Sequence, residues 1–282
     1  MQNCLHCSSH ECEEYGQENG YRLVRCTKCR LLYVQNPPAL NDISESTKQG
    51  VHAGDTAIDV TGRFQSWRLP ILQNRLATMF PDPQGFAGIH TWLDVGCGHG
   101  EFLTAIRSLA PHIQLKGTEP NERKREAARL KGLNIDFFDL SAHEETYDVI
   151  SLMNVYSHLP DPHEFLSMLR KLIRPGGHIL IQTGDADAYG NQQITKPWYL
   201  PDHLSFANET IIRDLLPKSG FMIERIEKFR WLERTWPTFF TEAAKLLLPN
   251  RASRMGVLLK GAPKTDMFIV ARRSDEIDLQ KA

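Results

Sequence analysis

From residue 91 onward, short apolar runs alternate with segments whose apolar residues recur every three or four positions. TWLDVG (91–96), QLKGTEP (114–120), NIDFFDL (134–140), YDVISLMNV (147–155), GHILIQTG (177–184), FMIERIEKF (221–229) and DMFIVARR (266–273) have the length and apolar density of buried strands. Between them, EFLTAIRSLA (101–110), NERKREAARLKG (121–132), PHEFLSMLRKLI (162–173) and NETIIRDLLPKSG (208–220) have helical spacing, the third closed by Arg174-Pro175-Gly176-Gly177. This alternation predicts an α/β fold: a doubly wound, seven-stranded, Rossmann-like sheet. The last two strands lack a helical crossover, so the last strand is expected to be antiparallel, in a hairpin at one edge. Upstream, Trp67, Leu69, Ile71, Leu72, Leu76 and Met79 predict a helix over 64–80, stopped by PDPQG (81–85). Residues 36–62 carry Pro, Gly and small polar residues without clear period and read as a linker or lid. The expected division is a small unit at 1–38, the linker at 39–63 and the main domain at 64–282, with an insert at about 232–262 rich in large apolar residues. Core or dimer packing is the simplest use of that insert, a homodimer being one expected partner state; a substrate lid or a membrane-surface helix are the others.

Composition narrows the classes. At 282 residues with 41% hydrophobic and 24% charged residues, the chain can bury a sizeable core. Lys plus Arg (33) nearly balances Asp plus Glu (34), so no global field draws nucleic acid or an anionic membrane. No apolar run reaches the roughly 20 residues a spanning helix needs. The start, MQNCLHCSSHECEE, lacks a basic and apolar leader, and a cytoplasmic location is expected.

Four of the six cysteines stand as two pairs, Cys4-x2-Cys7 and Cys26-x2-Cys29, with 18 residues between. Two such knuckles present four thiolates to one tetrahedral ion, so structural Zn2+ is expected, with two disulfides or four idle thiols as the alternatives. The exit LLYVQNPP resembles the strand exit of a zinc ribbon. Ser8 and Arg30 follow the second cysteine of each knuckle, where Gly or a small residue is common. His6, His10 and Cys12 lie near enough to substitute as ligands but fit the spacing less well.

The most specific chemistry lies in LDVGCGHGEF (93–102). Gly96, Gly98 and Gly100 follow the first strand and lead into a helix, where glycines allow a sharp turn and close ligand approach. A triphosphate loop would end in Lys-Ser/Thr, which is absent. A dinucleotide loop would place its third glycine at residue 101, which is Glu101. A carboxylate at that helix start competes with a pyrophosphate, and Asp94 adds a second acid. An acidic turn suits a cationic ligand. The motif resembles the first motif of class I S-adenosylmethionine-dependent methyltransferases, and further blocks follow in the family's order. The resemblance implies a cofactor site at Asp94, Gly96, Cys97 (through its backbone), Gly98, Glu119 with Pro120 (a carboxylate for the ribose diol), Asp139 and Leu140 (adenine side) and Asn154 in NVYSHLPDP. LRKLIRPGGHILI (169–181) and WYLPDHLSFANETIIRDLLPKSGF (198–221) extend it, the latter like a block of a broad bacterial subfamily that often carries an N-terminal zinc ribbon. The implied cofactor is S-adenosyl-L-methionine.

Methyl transfer is an in-line displacement, governed by positioning, and needs a base when the acceptor is a hydroxyl or an acidic carbon. His158 lies just past the fourth strand, where the subfamily often has Glu-His and this chain has Ser157-His158. His203, beside Asp202 in LPDHLSFAN, lies on the loop expected to cap the acceptor and is slightly preferred as the base. Tyr156, Trp198 and Tyr199 are the candidate substrate contacts, with Phe206 adding to a ring-lined wall. The favoured expectation is a methyltransferase acting on an oxygen or carbon of a small molecule, a sugar or natural-product intermediate. Its rivals are an RNA methyltransferase gripping substrate with the ribbon, disfavoured because Arg22, Arg25, Lys28 and Arg30 are matched by Glu11, Glu13, Glu14 and Glu18, and a non-catalytic cofactor-binding adaptor. The Lys/Arg cluster of 121–131 reads as a solvated helix face.

Overall fold

The structure, a computed structural model, describes residues 2–81, 85–189, 194, 196–230, 236–246, 255–260 and 263–274. The chain opens with β1 (Cys12–Glu18), β2 (Tyr21–Cys26) and β3 (Leu32–Val34). The stretch expected to be a linker is largely ordered: α1 (Leu40–Gln49) is closed by Gly50 in the left-handed region, and a short hairpin follows, β4 (Val51–His52) with β5 (Ile58–Asp59). Helical spacing was not evident in α1 because Leu40 and Ile43 are its only large apolar residues. A 3-10 turn at Ser66–Arg68 leads into α2 (Leu69–Met79), whose Leu72, Leu76 and Met79 are buried.

The main sheet is then laid down by β6 (Thr91–Val95), β7 (Gln114–Thr118), β8 (Ile135–Asp136), β9 (Tyr147–Met153) and β10 (Ile173–Gly184), separated by α3 (Glu101–Leu109), α4 (Glu122–Arg129) and α5 (Pro162–Leu172). Beyond β10 come β11 (Ser205–Phe206), α6 (Glu209–Lys218), β12 (Phe221–Phe229), α7 (Trp236–Leu246), α8 (Met255–Lys260) and β13 (Asp266–Arg273). The seven-stranded order is β12-β13-β10-β9-β6-β7-β8, and β13 runs antiparallel to both neighbours. The doubly wound sheet with its antiparallel last strand is therefore as expected. Two helices begin with an Asn side chain accepting a backbone N–H, Asn121 from Lys124 and Asn208 from Ile211, and Asp161 caps α5 through Glu164. The expected insert contributes α7 and α8, and its residues 232–235, 247–254 and 261–262 lie outside the described residues.

The third strand is shorter than the predicted 134–140. Asp136 Oδ1 accepts the N–H of Phe137, and Asp139 Oδ1 accepts the N–H and hydroxyl of Ser141, so local turn bonds replace the ladder after Asp136. The freed segment, 137–140, lines a cavity instead.

The cysteine unit does not stand apart. Its sheet, β1-β2-β3, is extended by β11 from the main domain, with Tyr33 opposite Ser205 and Leu32 opposite Phe206. Cys4, Val24, Cys26, Leu31 and Tyr33 share one core cluster with Leu152, Tyr156, Leu166, Ala207 and Ile211. His6, considered as a substitute ligand, instead pairs with Asp214 of α6 at 2.9 Å.

Candidate active site and cysteine centre

Above the carboxyl ends of β6, β7 and β9 lies an open cavity of about 1330 Å³. The glycine turn forms one wall. Gly96, Gly98 and Gly100 all have positive φ, 68°, 56° and 83°. A Cβ on Gly96 would lie 2.6 Å from Val155, and one on Gly100 2.2 Å from Leu133, so these two are fixed by packing. Nothing lies within 4 Å of the Cβ position of Gly98, which leaves backbone open to the cavity. Glu119, at the end of β7, is buried; its Oε2 accepts the N–H of Gly98 (2.9 Å) and its Oε1 that of Asn121 (3.0 Å). Each oxygen keeps a lone pair for a further donor. Gly96, Cys97, Gly98, Glu119, Pro120, Asp139, Leu140 and Asn154 all line the cavity. Asn154 adopts φ 62° and donates its N–H to Gln182. The Cys97 thiol is buried against Gly117, and burial raises its pKa well above the usual thiol range, which leaves it inert.

Asp94 is the exception among the expected cofactor residues. It is fully buried beneath the turn, outside the cavity lining, and accepts from Ser151 (2.6 Å), whose hydroxyl in turn takes the Trp92 indole N–H (2.9 Å). Its second oxygen has no hydrogen-bond partner. Burial, against the opposing Ser151 bond and with the nearby charges of Glu119 and Glu101, pushes its pKa up to about 7. The signal that found Asp94 was its motif, which carries no information on which way the side chain points.

The opposite wall brings together both candidate bases. His158 Nδ1 faces two acceptors, the Asp202 carbonyl (2.8 Å) and Asp202 Oδ1 (3.1 Å). Nδ1 therefore carries the proton and Nε2 keeps its lone pair. Burial would lower the pKa of His158, but the pairing with Asp202 outweighs it and the net shift is upward. His203 Nδ1 donates to the Trp198 carbonyl (2.8 Å), leaving its Nε2 free as well. Burial, and the neighbouring His158 ring at 4.9 Å, bring His203 down to about 4. Asp202 thus backs His158, whereas the sequence paired it with His203. A third imidazole was missed: His52, from β4, donates Nε2–H to the same Asp202 Oδ1 at 3.0 Å. His52, His158, Asp202 and His203 all line the cavity. Donor atoms of His158, Asp202 and His203 come within 4.8 Å of one another, but Asp202 Oδ1 is already shared by two imidazoles and both Nδ1 atoms are committed, so the cluster is a hydrogen-bonded network.

The three residues expected to touch the acceptor are placed elsewhere. Tyr156 is 1% exposed in the core between the main sheet and the cysteine unit. Trp198 is 2% exposed, packs on Tyr15 and covers Gly16, where a Cβ would come within 2.6 Å of its ring. Tyr199 is solvent-exposed and packs edge-on to His203, outside the cavity lining. Tyr156 and Trp198 were read as aromatics near a histidine, a pattern that apolar docking of the cysteine unit produces equally well.

In the cysteine unit, Cys4 Sγ lies 3.4 Å from Cys29 Sγ and Cys7 Sγ 3.5 Å from Cys26 Sγ, and all four sulfurs fall within 4.8 Å. Four sulfurs at about 2.3 Å around a tetrahedral ion stand about 3.8 Å apart, so the set fits zinc. Ser8 and Arg30 take φ 57° and 65°, the left-handed turn that Gly commonly fills. Each donates its N–H back to the first cysteine of its knuckle, Ser8 to Cys4 and Arg30 to Cys26.

A family model described as "Methyltransferase domain" matches residues 63–226. A relative from Pectobacterium atrosepticum, "Ubiquinone biosynthesis O-methyltransferase", is 28% identical over 155 residues, which is 51% of this chain and 60% of that relative. Among solved structures, an O-methyltransferase from a trans-AT PKS multienzyme of Brevibacillus brevis, in complex with S-adenosyl-L-homocysteine, superposes with TM-score 0.51 at 18% identity over 72% of each chain. A SAM-dependent methyltransferase from Archaeoglobus fulgidus does so with TM-score 0.51 at 22% identity, over 72% of this chain and 94% of its own. These likenesses agree on the fold, and the family match spans more than half the chain. The glycine turn, Glu119 and the strand order thus belong to a member of the methyltransferase-domain family.

Proposed function

We propose that this protein transfers the methyl group of S-adenosylmethionine to a hydroxyl of a small molecule, with His158 as general base. The observation that carries this reading is the meeting of two walls in one cavity: the Gly98–Glu119 cradle and the Asp202-backed Nε2 of His158. In the bound complex the cofactor supplies an electrophilic methyl carbon. Glu119 would receive the ribose hydroxyls, Gly98 and Asn154 would line the cofactor's seat, and the 137–140 segment would cover the adenine side, all of them residues that line the cavity. An acceptor hydroxyl held against His158 would give its proton to His158 Nε2 as the methyl group leaves sulfur for its oxygen, and Asp202 would stabilise the resulting imidazolium. A hydroxyl acceptor accords with the O-methyltransferase relatives. His203, neutral near pH 7, has lost the preference given it from sequence because no carboxylate backs its Nδ1.

The ribbon supports the same reading by where it docks. Val34 N–H donates to Leu204, Leu204 N–H to Ser157, Asn19 to the Leu200 carbonyl, and Glu18 accepts the N–H groups of Trp198 and Leu200. With zinc bound, the unit is a brace for the loop bearing Asp202 and His203. Two of its basic residues face its own acids, Arg22 near Glu14 and Arg25 near Glu13, which gives an RNA-gripping role little support. Among the described residues no helix is long and apolar enough to cross a membrane.

The test incubates purified protein with methyl-labelled S-adenosylmethionine and a cell extract, then separates small molecules, nucleic acid and protein. Label is expected in the small-molecule pool and is expected to fall by about 10²–10⁴-fold in His158→Asn. Label in RNA, or transfer that His158→Asn leaves unchanged, would contradict this reading.

A further inference from the structure

His52 comes from the segment whose sequence suggested a linker or lid, about 150 residues from Asp202. It is buried, at 4% exposure, and donates to Asp202 Oδ1, the same oxygen that faces His158 Nδ1 at 3.1 Å. Its backbone is held from two sides. Within the segment, His52 pairs with Ile58 across the β4–β5 hairpin. On the cofactor side, Asn121 Nδ2 donates to the Lys48 carbonyl (2.9 Å), and Gly50 abuts Asn121, with no room for a Cβ (2.7 Å from Nδ2). Asn121 itself donates its backbone N–H to Glu119 Oε1. Hydrogen bonds thus run from Gly98 through Glu119 and Asn121 to the Lys48 carbonyl, the backbone continues to His52, and His52 reaches the Asp202 that faces His158.

We propose that His52 is a positioning residue of this site: it fixes the Asp202 carboxylate against His158 and carries to that pair the position of the segment seated beside Glu119. The proposal rests on the reading of His158 as the base. A carboxylate oxygen that accepts two N–H groups divides its charge between them. With the His52 donor removed, Asp202 acts on His158 alone and favours its imidazolium. The groups about His158 are Asp202 and His203 from the loop after β10 and the more distant Lys124 from α4, with His52 of β4 on the far side of the Asp202 oxygen, so Asp202 is the one acid among them.

Two substitutions separate this role from packing. His52→Phe keeps a ring and removes the donor; His52→Gln keeps an N–H near the Nε2 position. The full chain, saturated with S-adenosylhomocysteine, is followed by two-dimensional 1H–15N NMR of the imidazoles, with His158→Asn identifying the His158 signals. In the unsubstituted protein the His52 proton is expected on Nε2. His52→Phe is expected to move the His158 titration to higher pH by about half a unit, on the scale of neighbouring-charge effects, and His52→Gln to restore it. The acidic limb of the kcat/KM profile, measured with the product recovered in the labelling experiment, is expected to move the same way, with KM for S-adenosylmethionine unchanged. A His52 proton on Nδ1, a His158 titration unmoved in His52→Phe, or equal loss in His52→Gln and His52→Phe would overturn the proposal. His158→Asn with full activity would instead overturn the base reading, a separate result.

Discussion

At the scale of single residues, Asp94 shows how a motif position can lie buried beneath a cavity rather than line it. It lies under the glycine turn, ties Ser151 and through it Trp92, and leaves one oxygen unbonded. Its pKa, raised by burial to about 7, means that the folded protein holds a proton that the unfolded chain releases near pH 4. Folding stability from this group therefore declines as pH rises from about 4 to about 7 and stays low above that. Asp94→Asn keeps the acceptor for Ser151 and removes the ionisation. Its melting temperature relative to the parent, without cofactor, is expected to be higher at pH 8 than at pH 5. A difference that is constant across that range would show that Asp94 is not a strained acid.

At the scale of elements, the ribbon and the loop at 196–206 form one unit. The β3–β11 pairing, the Glu18 and Asn19 bonds and the Trp198–Gly16 contact all cross between them. The glycine turn and Glu119 belong to β6, β7 and their own connections, away from that seam. Disrupting the four-cysteine cluster is therefore expected to act first on one wall of the cavity. Cys26→Ser is expected to speed backbone hydrogen exchange over residues 196–206 and to abolish methyl transfer, with a smaller loss of S-adenosylhomocysteine affinity passed on through the Asn121–Lys48 contact. Unchanged exchange in that loop, or equal loss of cofactor binding, would show that the ribbon does not brace the acceptor wall.

Across the whole molecule, what the sequence revealed and what it concealed divide along the same line. Strand order and the glycine turn facing Glu119 were legible because each is written in one contiguous stretch: apolar runs of strand length, LDVGCGHGEF with its turn, and Glu119 ending a strand. The third strand was overcalled because Phe137 and Phe138 look like strand residues while Asp136 and Asp139 bond locally. The proposed acceptor wall was not legible. It is assembled from His52, His158 and the 202–203 pair, three separate parts of the chain, and no local pattern joins them. The aromatic residues that seemed to mark it, Tyr156 and Trp198, serve the seam with the ribbon instead.

The central claim is that one cavity has a wall for binding the cofactor and a separate wall for moving the proton. The most direct measurement pairs calorimetric binding of S-adenosylmethionine with turnover, in Glu119→Ala and in His158→Asn. Glu119→Ala is expected to weaken binding by about 10- to 100-fold, the cost of losing hydrogen bonds to a charged acceptor. His158→Asn is expected to bind as the parent does and to lose turnover. Parental binding in Glu119→Ala, or parental turnover in His158→Asn, would contradict the account.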